Sequence, residues 1–189
     1  MYIAIEGVDT AGKSTQIALL AKRYPEAIIT REPGGSPIGS AIREMVLHDP
    51  SITPRGRFLL FLADRAEHIE RVIKPNQDKL LICDRSLISG IAYADSEISD
   101  DEAIRMNLFA TGGVVPDLVI LLKLTPEELS KRLANKQHDA IEAQGINKLL
   151  AIQERLEKAC RRLGLPCLVI DASRPAEDIS LDIQRFIHG

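Results

Sequence analysis

Residues Gly7-Val8-Asp9-Thr10-Ala11-Gly12-Lys13-Ser14 fit the pattern G-x-x-x-x-G-K-[ST] near the start of a 189-residue chain. Each residue type at that spacing has a task toward a polyphosphate. Gly7 and Gly12 let the main chain curl, so that the N–H groups of Val8, Asp9, Thr10 and Ala11 turn toward phosphate oxygens. A helix that opens at the end of the loop adds the positive end of its dipole. Lys13 supplies a point charge to the β- and γ-phosphates of a nucleotide such as ATP, and the Ser14 hydroxyl is a ligand type for Mg²⁺. Thr15, on the same first turn, is placed to approach the α-phosphate. A compact apolar run at 2–5 precedes the loop and a helical pattern at 14–23 follows it. That context separates a phosphate cradle from a chance match.

Such a cradle is shared by GTPases, ATPases, motor domains and small-molecule kinases. A GTPase reads guanine through N-K-x-D after a strand; Asn135-Lys136-Gln137-His138 lacks the Asp in register and follows an amphipathic helix. A mechanical ATPase ends its second acidic strand in Asp-Glu. Here the strand-like run 80–83 ends in Asp84-Arg85-Ser86. A single small domain with nothing further to move also favours a small-molecule kinase.

The elements that must position these residues are written as short apolar runs alternating with longer amphipathic stretches. Runs at 2–5, 27–30, 80–83, 118–122 and 165–170 are rich in Ile, Val and Leu and read as strands buried on both faces, as in a parallel sheet. Helical patterns lie at 14–23, 37–47, 54–73, 100–110, 126–134 and 145–163. Pro37, Pro54 and Pro126 stand at helix starts, where a missing N–H costs nothing. The alternation predicts an α/β domain: a P-loop NTPase-type three-layer sandwich, with a five-stranded parallel sheet and helices on both faces. The polar stretch 135–144 reads equally as a loop or as a helix surface.

Composition narrows the partners. Lys plus Arg total 24 and Asp plus Glu 27, a formal net charge of −3 that argues against adhesion to nucleic acid or anionic membranes. Cys83, Cys160 and Cys167 show no paired or zinc-type spacing and fit a reducing compartment. The N-terminus meets Glu6 at once and carries no basic region, so no signal peptide is expected. The longest apolar runs, 58–63 and 118–122, are too short to span a bilayer. The expectation is a soluble, cytoplasmic, single-domain protein over 1–189.

Further blocks, read in order, resemble the thymidylate kinase family. Ile5-Glu6-Gly7 with Asp9 leads into the P-loop. Arg31-Glu32-Pro33-Gly34-Gly35 follows, then Arg43, then Leu60-Phe61-Leu62-Ala63-Asp64-Arg65 with His68. Asp84-Arg85-Ser86 comes with Ser89 and Ala92-Tyr93, then Pro116-Asp117-Leu118 and Gln153-Glu154-Arg155. The resemblance covers nearly the whole chain and implies a Mg²⁺-dependent transfer from ATP to dTMP by a homodimer.

It also implies roles. Asp9 would face the deoxyribose 3′-hydroxyl and orient the acceptor phosphate, which explains a carboxylate inside a phosphate loop. Phe61 and Arg65, four apart on one helix face, would stack on and donate to the pyrimidine. From spacing alone, a core Phe beside a surface Arg is the plainer reading, and the resemblance reverses it. Arg85, at a carboxyl strand end, would take the dTMP phosphate, completing a catalytic set of Asp9, Lys13 and Arg85. Ser89 and Tyr93 would line the pyrimidine pocket, with Tyr93 disfavouring a 2′-hydroxyl. Glu32 would sit in the loop that approaches the acceptor. Asp84 would lie near Mg²⁺ with Ser14, or would orient Arg85; both readings stand. Three departures stand out. Thr10 and Ala11 occupy the P-loop where many relatives have an arginine, and the lid segment 135–144 lacks the usual arginine, leaving Arg132 and Lys136 as its nearby cations. Gly90 and Ala94 stand where relatives have larger polar residues.

Overall fold

The structure is a computed structural model that describes residues 1–95, 97–134 and 145–188. Five parallel strands form one sheet in the order β2-β3-β1-β4-β5. They are β1 (Tyr2–Gly7), β2 (Ile28–Arg31), β3 (Leu81–Asp84), β4 (Leu118–Lys123) and β5 (Cys167–Asp171). β1 is central and pairs with β3 on one side and β4 on the other, so the chain reverses its direction of travel across the sheet at β1. Ligands of open α/β sheets gather at the carboxyl ends of the strands at such a point. The phosphate loop leaves β1 there, and Asp84-Arg85 leaves β3 beside it.

Side chains along β1 alternate between faces, as the strand period requires: Ile3 and Ile5 join the main core with Ile82, while Tyr2 packs with Leu81, Cys83, Ile69 and Ile73. The expectation of strands buried on both faces holds for β1, β3 and β4. It fails for β2 and β5, which are the sheet edges and keep several residues partly or fully exposed. An edge strand has a neighbour on one side only, and apolar composition alone does not reveal strand order.

Among the described residues the helices are α1 (Lys13–Arg23), α2 (Gly39–His48), α3 (Pro54–His68), α4 (Leu87–Ala92), α5 (Asp100–Thr111), α6 (Pro126–Ala134), α7 (Gly145–Leu163) and α8 (Ala176–His188). Helix α1 packs on α8, while α3, α4, α5 and α7 pack on one another. Their starts follow local rules. Thr53 caps α3 by accepting from the Gly56 N–H at 3.2 Å, with Pro54 in the first turn. Ser99 and Glu102 form a reciprocal capping box at α5. The stretch expected as one helix over 54–73 is α-helical to His68 and then widens into a π turn, Ile69–Ile73. That turn buries Ile69 and Ile73 against Tyr2 and Leu81.

Candidate active site

Gly7 ends β1 at φ +149°, where an added Cβ would lie 2.8 Å from the Leu122 carbonyl oxygen, so neither the angle nor the space admits a side chain. The loop folds on itself through the Ala11 N–H donating to the Val8 carbonyl at 3.2 Å, with Thr10 and Gly12 both at positive φ. Helix α1 has no side-chain cap and no acidic residue in its first turn. Its leading amides therefore stay free of side-chain acceptors, as an anion site requires. The buried Lys13 Nζ donates to the Gly7 and Val8 carbonyls at 3.0 and 3.1 Å and lies 4.0 Å from Asp9 Oδ1. Burial and the nearby Arg85 hold its pKa below the ordinary lysine value. Ser14 and Thr15 are exposed at the start of α1.

Arg85 faces this loop from the end of β3. It is held at φ +72°, a conformation that costs a non-glycine residue on the order of 1–3 kcal/mol and is kept only where surroundings impose it. Its N–H donates to the Ile5 carbonyl at 3.0 Å. Its Nη1 donates to Ser89 Oγ at 3.0 Å and to the Gly7 carbonyl at 3.3 Å, and its Nη2 donates to Asp9 Oδ1 at 2.8 Å. The guanidinium carbon lies 5.2 Å from the centre of the half-exposed Tyr93 ring. Lys13 and Arg85 thus share one carbonyl, Gly7, while Asp9 lies between the two cations. Burial opposes the charge on Arg85, but Tyr93, Glu6 and Asp9 outweigh it and raise its pKa.

Glu6 underpins this arrangement and was not among the residues expected at the site. It is fully buried, and its carboxylate accepts from Ser89 Oγ at 2.6 Å, Ser86 Oγ at 2.7 Å and the Ser89 N–H at 3.3 Å. Burial pushes its pKa up, against the hydrogen bond from Ser89 and the charge of Arg85. A carboxylate in an otherwise apolar strand, next to the glycine of a phosphate loop, is the sequence signal for it. Asp84 Oδ1 is buried with no hydrogen-bond partner among the described residues. An orphaned carboxylate oxygen beside the phosphate loop has the chemistry of a Mg²⁺ or metal-water ligand, so Asp84 and Ser14 fit that ion.

A second cluster surrounds Arg65 on α3. Its side chain is 4% exposed and that of Glu32 is 3% exposed. Arg65 Nε donates to Glu32 Oε2 at 2.8 Å, Nη2 donates to the Ser86 carbonyl at 3.2 Å, and Nη1 donates to Asn107 Oδ1. His68 Nδ1 stands 2.8 Å from Glu32 Oε1, and its Nε2 stands 2.7 Å from Thr30 Oγ1. A carboxylate only accepts, so Nδ1 carries the proton. Burial raises the Glu32 pKa, but Arg65 and His68 more than offset it and hold the carboxyl below the usual range. Both Glu32 oxygens are occupied, so its contribution toward an acceptor runs through Arg65. Asp64 accepts from the Gly34 N–H at 3.0 Å, and burial pushes its pKa up to about 6. Phe61, one turn before Arg65, is half-buried. Arg43 Nη1 donates to the Pro33 carbonyl at 2.9 Å, which ties the 31–35 loop to α2.

The structure therefore brings Asp9, Lys13, Arg85, Ser89 and Tyr93 together, and it gathers Glu32 and Arg65 in the adjoining cluster through Ser86. Arg132 is anchored on the phosphate loop: Nη1 donates to the Thr10 carbonyl at 3.0 Å, Nη2 to the Ala172 carbonyl at 2.7 Å, and Nε to Glu128 at 2.8 Å. The lid 135–144, with Lys136, lies outside the described residues. A cleft of about 530 Å³ between β5 and α8, lined by Asp171, Arg174 and Phe186 among others, contains none of the converging residues. No helix among the described residues is long and apolar enough to cross a membrane.

Comparison with known proteins agrees with this geometry. The sequence model described as thymidylate kinase matches residues 5–183. The chain belongs to the thymidylate kinase family. A thymidylate kinase of Wolinella succinogenes is 54% identical over 180 residues, covering 95% of this chain and 94% of that protein. One from Sulfurimonas denitrificans is 52% identical over the full length of both. The crystal structure of thymidylate kinase from Ehrlichia chaffeensis superposes with a TM-score of 0.78 over 100% of this chain and 98% of that one; at 24% identity it speaks to the fold.

Proposed function

We infer that the protein transfers the γ-phosphoryl group of ATP to dTMP, giving dTDP and ADP. The observation that carries the reading is the meeting of Lys13 and Arg85 on the Gly7 carbonyl, at 3.0 and 3.3 Å, with Asp9 between them. One cation belongs to the donor loop and the other to a separate strand end. Two anionic groups, the ATP polyphosphate and the acceptor phosphate, then have adjacent positively charged seats. Phosphoryl transfer asks chiefly for that: donor and acceptor in line, and charge on the transferred group offset. The acceptor oxygen is already anionic, so no strong base is needed.

In this reading the loop from Gly7 to Gly12 presents main-chain N–H groups to the ATP phosphates, apart from that of Ala11, which the Val8 carbonyl holds, with Ser14 and Thr15 at the start of α1. Lys13 offsets charge on the β- and γ-phosphates, and Arg85 takes the dTMP phosphate through its planar fork. Asp9 exchanges its contact with Arg85 for the deoxyribose 3′-hydroxyl when acceptor enters. Tyr93, 42% exposed beside Arg85, packs against the sugar. Phe61 stacks on the pyrimidine and Arg65 donates to a ring carbonyl, held in place by Glu32. Mg²⁺, when bound, supplies further charge neutralisation, and Ser14 and Asp84 are the residues that would hold it.

The same reading assigns the protein to the cytoplasm as a homodimer. Apolar side chains stand exposed on three successively packed helices: Met45 and Leu47 on α2, Leu59 on α3 and Phe109, 88% exposed, on α5. A surface of this kind suits a subunit contact. Sedimentation velocity should give the mass of two chains; the mass of one chain would remove this part. The function itself is tested by ADP release with Mg²⁺-ATP and a panel of nucleoside monophosphates. Turnover led by dTMP is expected. Turnover led by a purine monophosphate, or ADP release independent of acceptor, would overturn it.

A further inference from the structure

Arg65 is held by three protein acceptors, and one of them comes from a helix outside the blocks that carry the family resemblance. Asn107 lies on α5 and is fully buried. Its Nδ2 donates to the Ala103 carbonyl at 2.7 Å, one turn back along its own helix. That bond fixes which end of the amide is the oxygen, and Oδ1 accepts from Arg65 Nη1. An arginine can only donate, so the opposite amide orientation would set donor against donor.

Gly90, on α4, explains why there is room. A Cβ at that position would lie 2.3 Å from both Arg65 Nη1 and Asn107 Oδ1. The volume a side chain would take there is filled by the Arg65–Asn107 contact itself. With Nε on Glu32, one Nη1 proton on Asn107 and one Nη2 proton on Ser86, the guanidinium is pinned at all three nitrogens. Two of its five N–H groups are left without a partner among the described residues. A group with that many fixed contacts has one orientation available to it, and its free donors are aimed before any ligand arrives.

We propose that Asn107 is a positioning residue for acceptor specificity: from α5, through the gap left by Gly90, it orients Arg65 so that its two free N–H groups meet a pyrimidine carbonyl. The proposal rests on Arg65 being the base-reading residue. Asn107 touches no substrate atom; its effect passes entirely through Arg65.

The test is a double-mutant cycle in steady-state kinetics on the intact protein, using Arg65→Ala, Asn107→Ala and the double variant, with Gly90→Ala as an independent probe. Thermal unfolding is recorded in parallel. Asn107→Ala should raise KM for dTMP about tenfold, equivalent to about 1.4 kcal/mol, while kcat and KM for ATP change by less than about twofold. The double variant should be no worse than Arg65→Ala alone, because Asn107 has nothing to orient once Arg65 is gone. Gly90→Ala should raise KM for dTMP in the same selective way, although Ala is the better helix former. The proposal is overturned by an unchanged KM for dTMP in Asn107→Ala or in Gly90→Ala, by fully additive losses in the double variant, or by parallel rises in both KM values. If Arg65→Ala itself leaves KM for dTMP unchanged, the base-reading role fails and this inference fails with it. If only the Asn107 and Gly90 variants are silent, the inference fails alone.

Discussion

Replacing Glu32 with Gln isolates the electrostatics of the Arg65 cluster, because the substitution keeps the volume and removes the charge. Glu32 and Arg65 are buried to 3% and 4% exposure and meet at 2.8 Å, and His68 takes the other carboxylate oxygen at 2.8 Å. A Gln offers one acceptor oxygen for two donors: with it on Arg65 Nε, its NH₂ faces His68 Nδ1, which then accepts only by giving up its proton, with Nε2–H donating to Thr30. The larger loss is that the Arg65 charge then stays buried without a counter-charge. Removing one partner of a buried pair typically costs about 3–5 kcal/mol, against about 0–1 kcal/mol for an exposed pair. In a chain of this size each kcal/mol moves Tm by about 2–4 °C, so a fall of roughly 6–20 °C is expected. Urea unfolding gives the free energy directly, and an unchanged m-value would show that the denatured state is unaltered. A loss below about 1 kcal/mol would refute the reasoning: it would mean that water reaches Arg65 or that another acceptor neutralises it.

Two further predictions follow from single groups. Lys13→Ala should leave folding intact and lower kcat by about two to three orders of magnitude, since a cation is lost where charge develops in the transition state; turnover near that of the unaltered protein would refute the phosphate-loop assignment. Asp64 binds its proton more tightly folded, with a pKa of about 6, than unfolded, so its contribution favours folding in acid and is lost as pH rises from about 4 to 6. At 1.36 kcal/mol per pH unit the loss is at most about 3 kcal/mol, and Asp64→Asn should flatten stability across that window; an unchanged slope by urea unfolding at stepped pH would assign the titration elsewhere.

The phosphate loop is legible in the sequence because its chemistry is contiguous: eight successive residues, a strand before them and a helix after. Arg85 is legible for a related reason, since it immediately follows a strand. The surroundings of Arg65 are not. Glu32, Ser86 and Asn107 come from a loop, a helix cap and a distant helix, and only the folded chain makes them neighbours of one guanidinium. Gly90 shows the same limit: a missing polar side chain in the sequence is, in the structure, the space that Asn107 and Arg65 occupy. Helix α8 buries Ile179, Ile183 and Ile187 at a spacing of four, a helical period present in the sequence beyond the helices expected from it. The edge positions of β2 and β5 depend on pairing order, on which local composition is silent. Arg132 reads as a surface or lid cation by its place on α6, yet three of its nitrogens are committed to Thr10, Ala172 and Glu128.

Recognition of the acceptor's base resides in the buried Arg65 cluster, and recognition of the donor in the phosphate loop. Separate KM values for dTMP and ATP in Arg65→Ala test it most directly. One charge-assisted hydrogen bond to the base is worth about 1.5–3 kcal/mol, so KM for dTMP should rise roughly 10- to 150-fold while KM for ATP stays within about twofold. Equal increases for the two substrates, or a dTMP value within about threefold of the unaltered protein, would contradict the division of the site into these two halves.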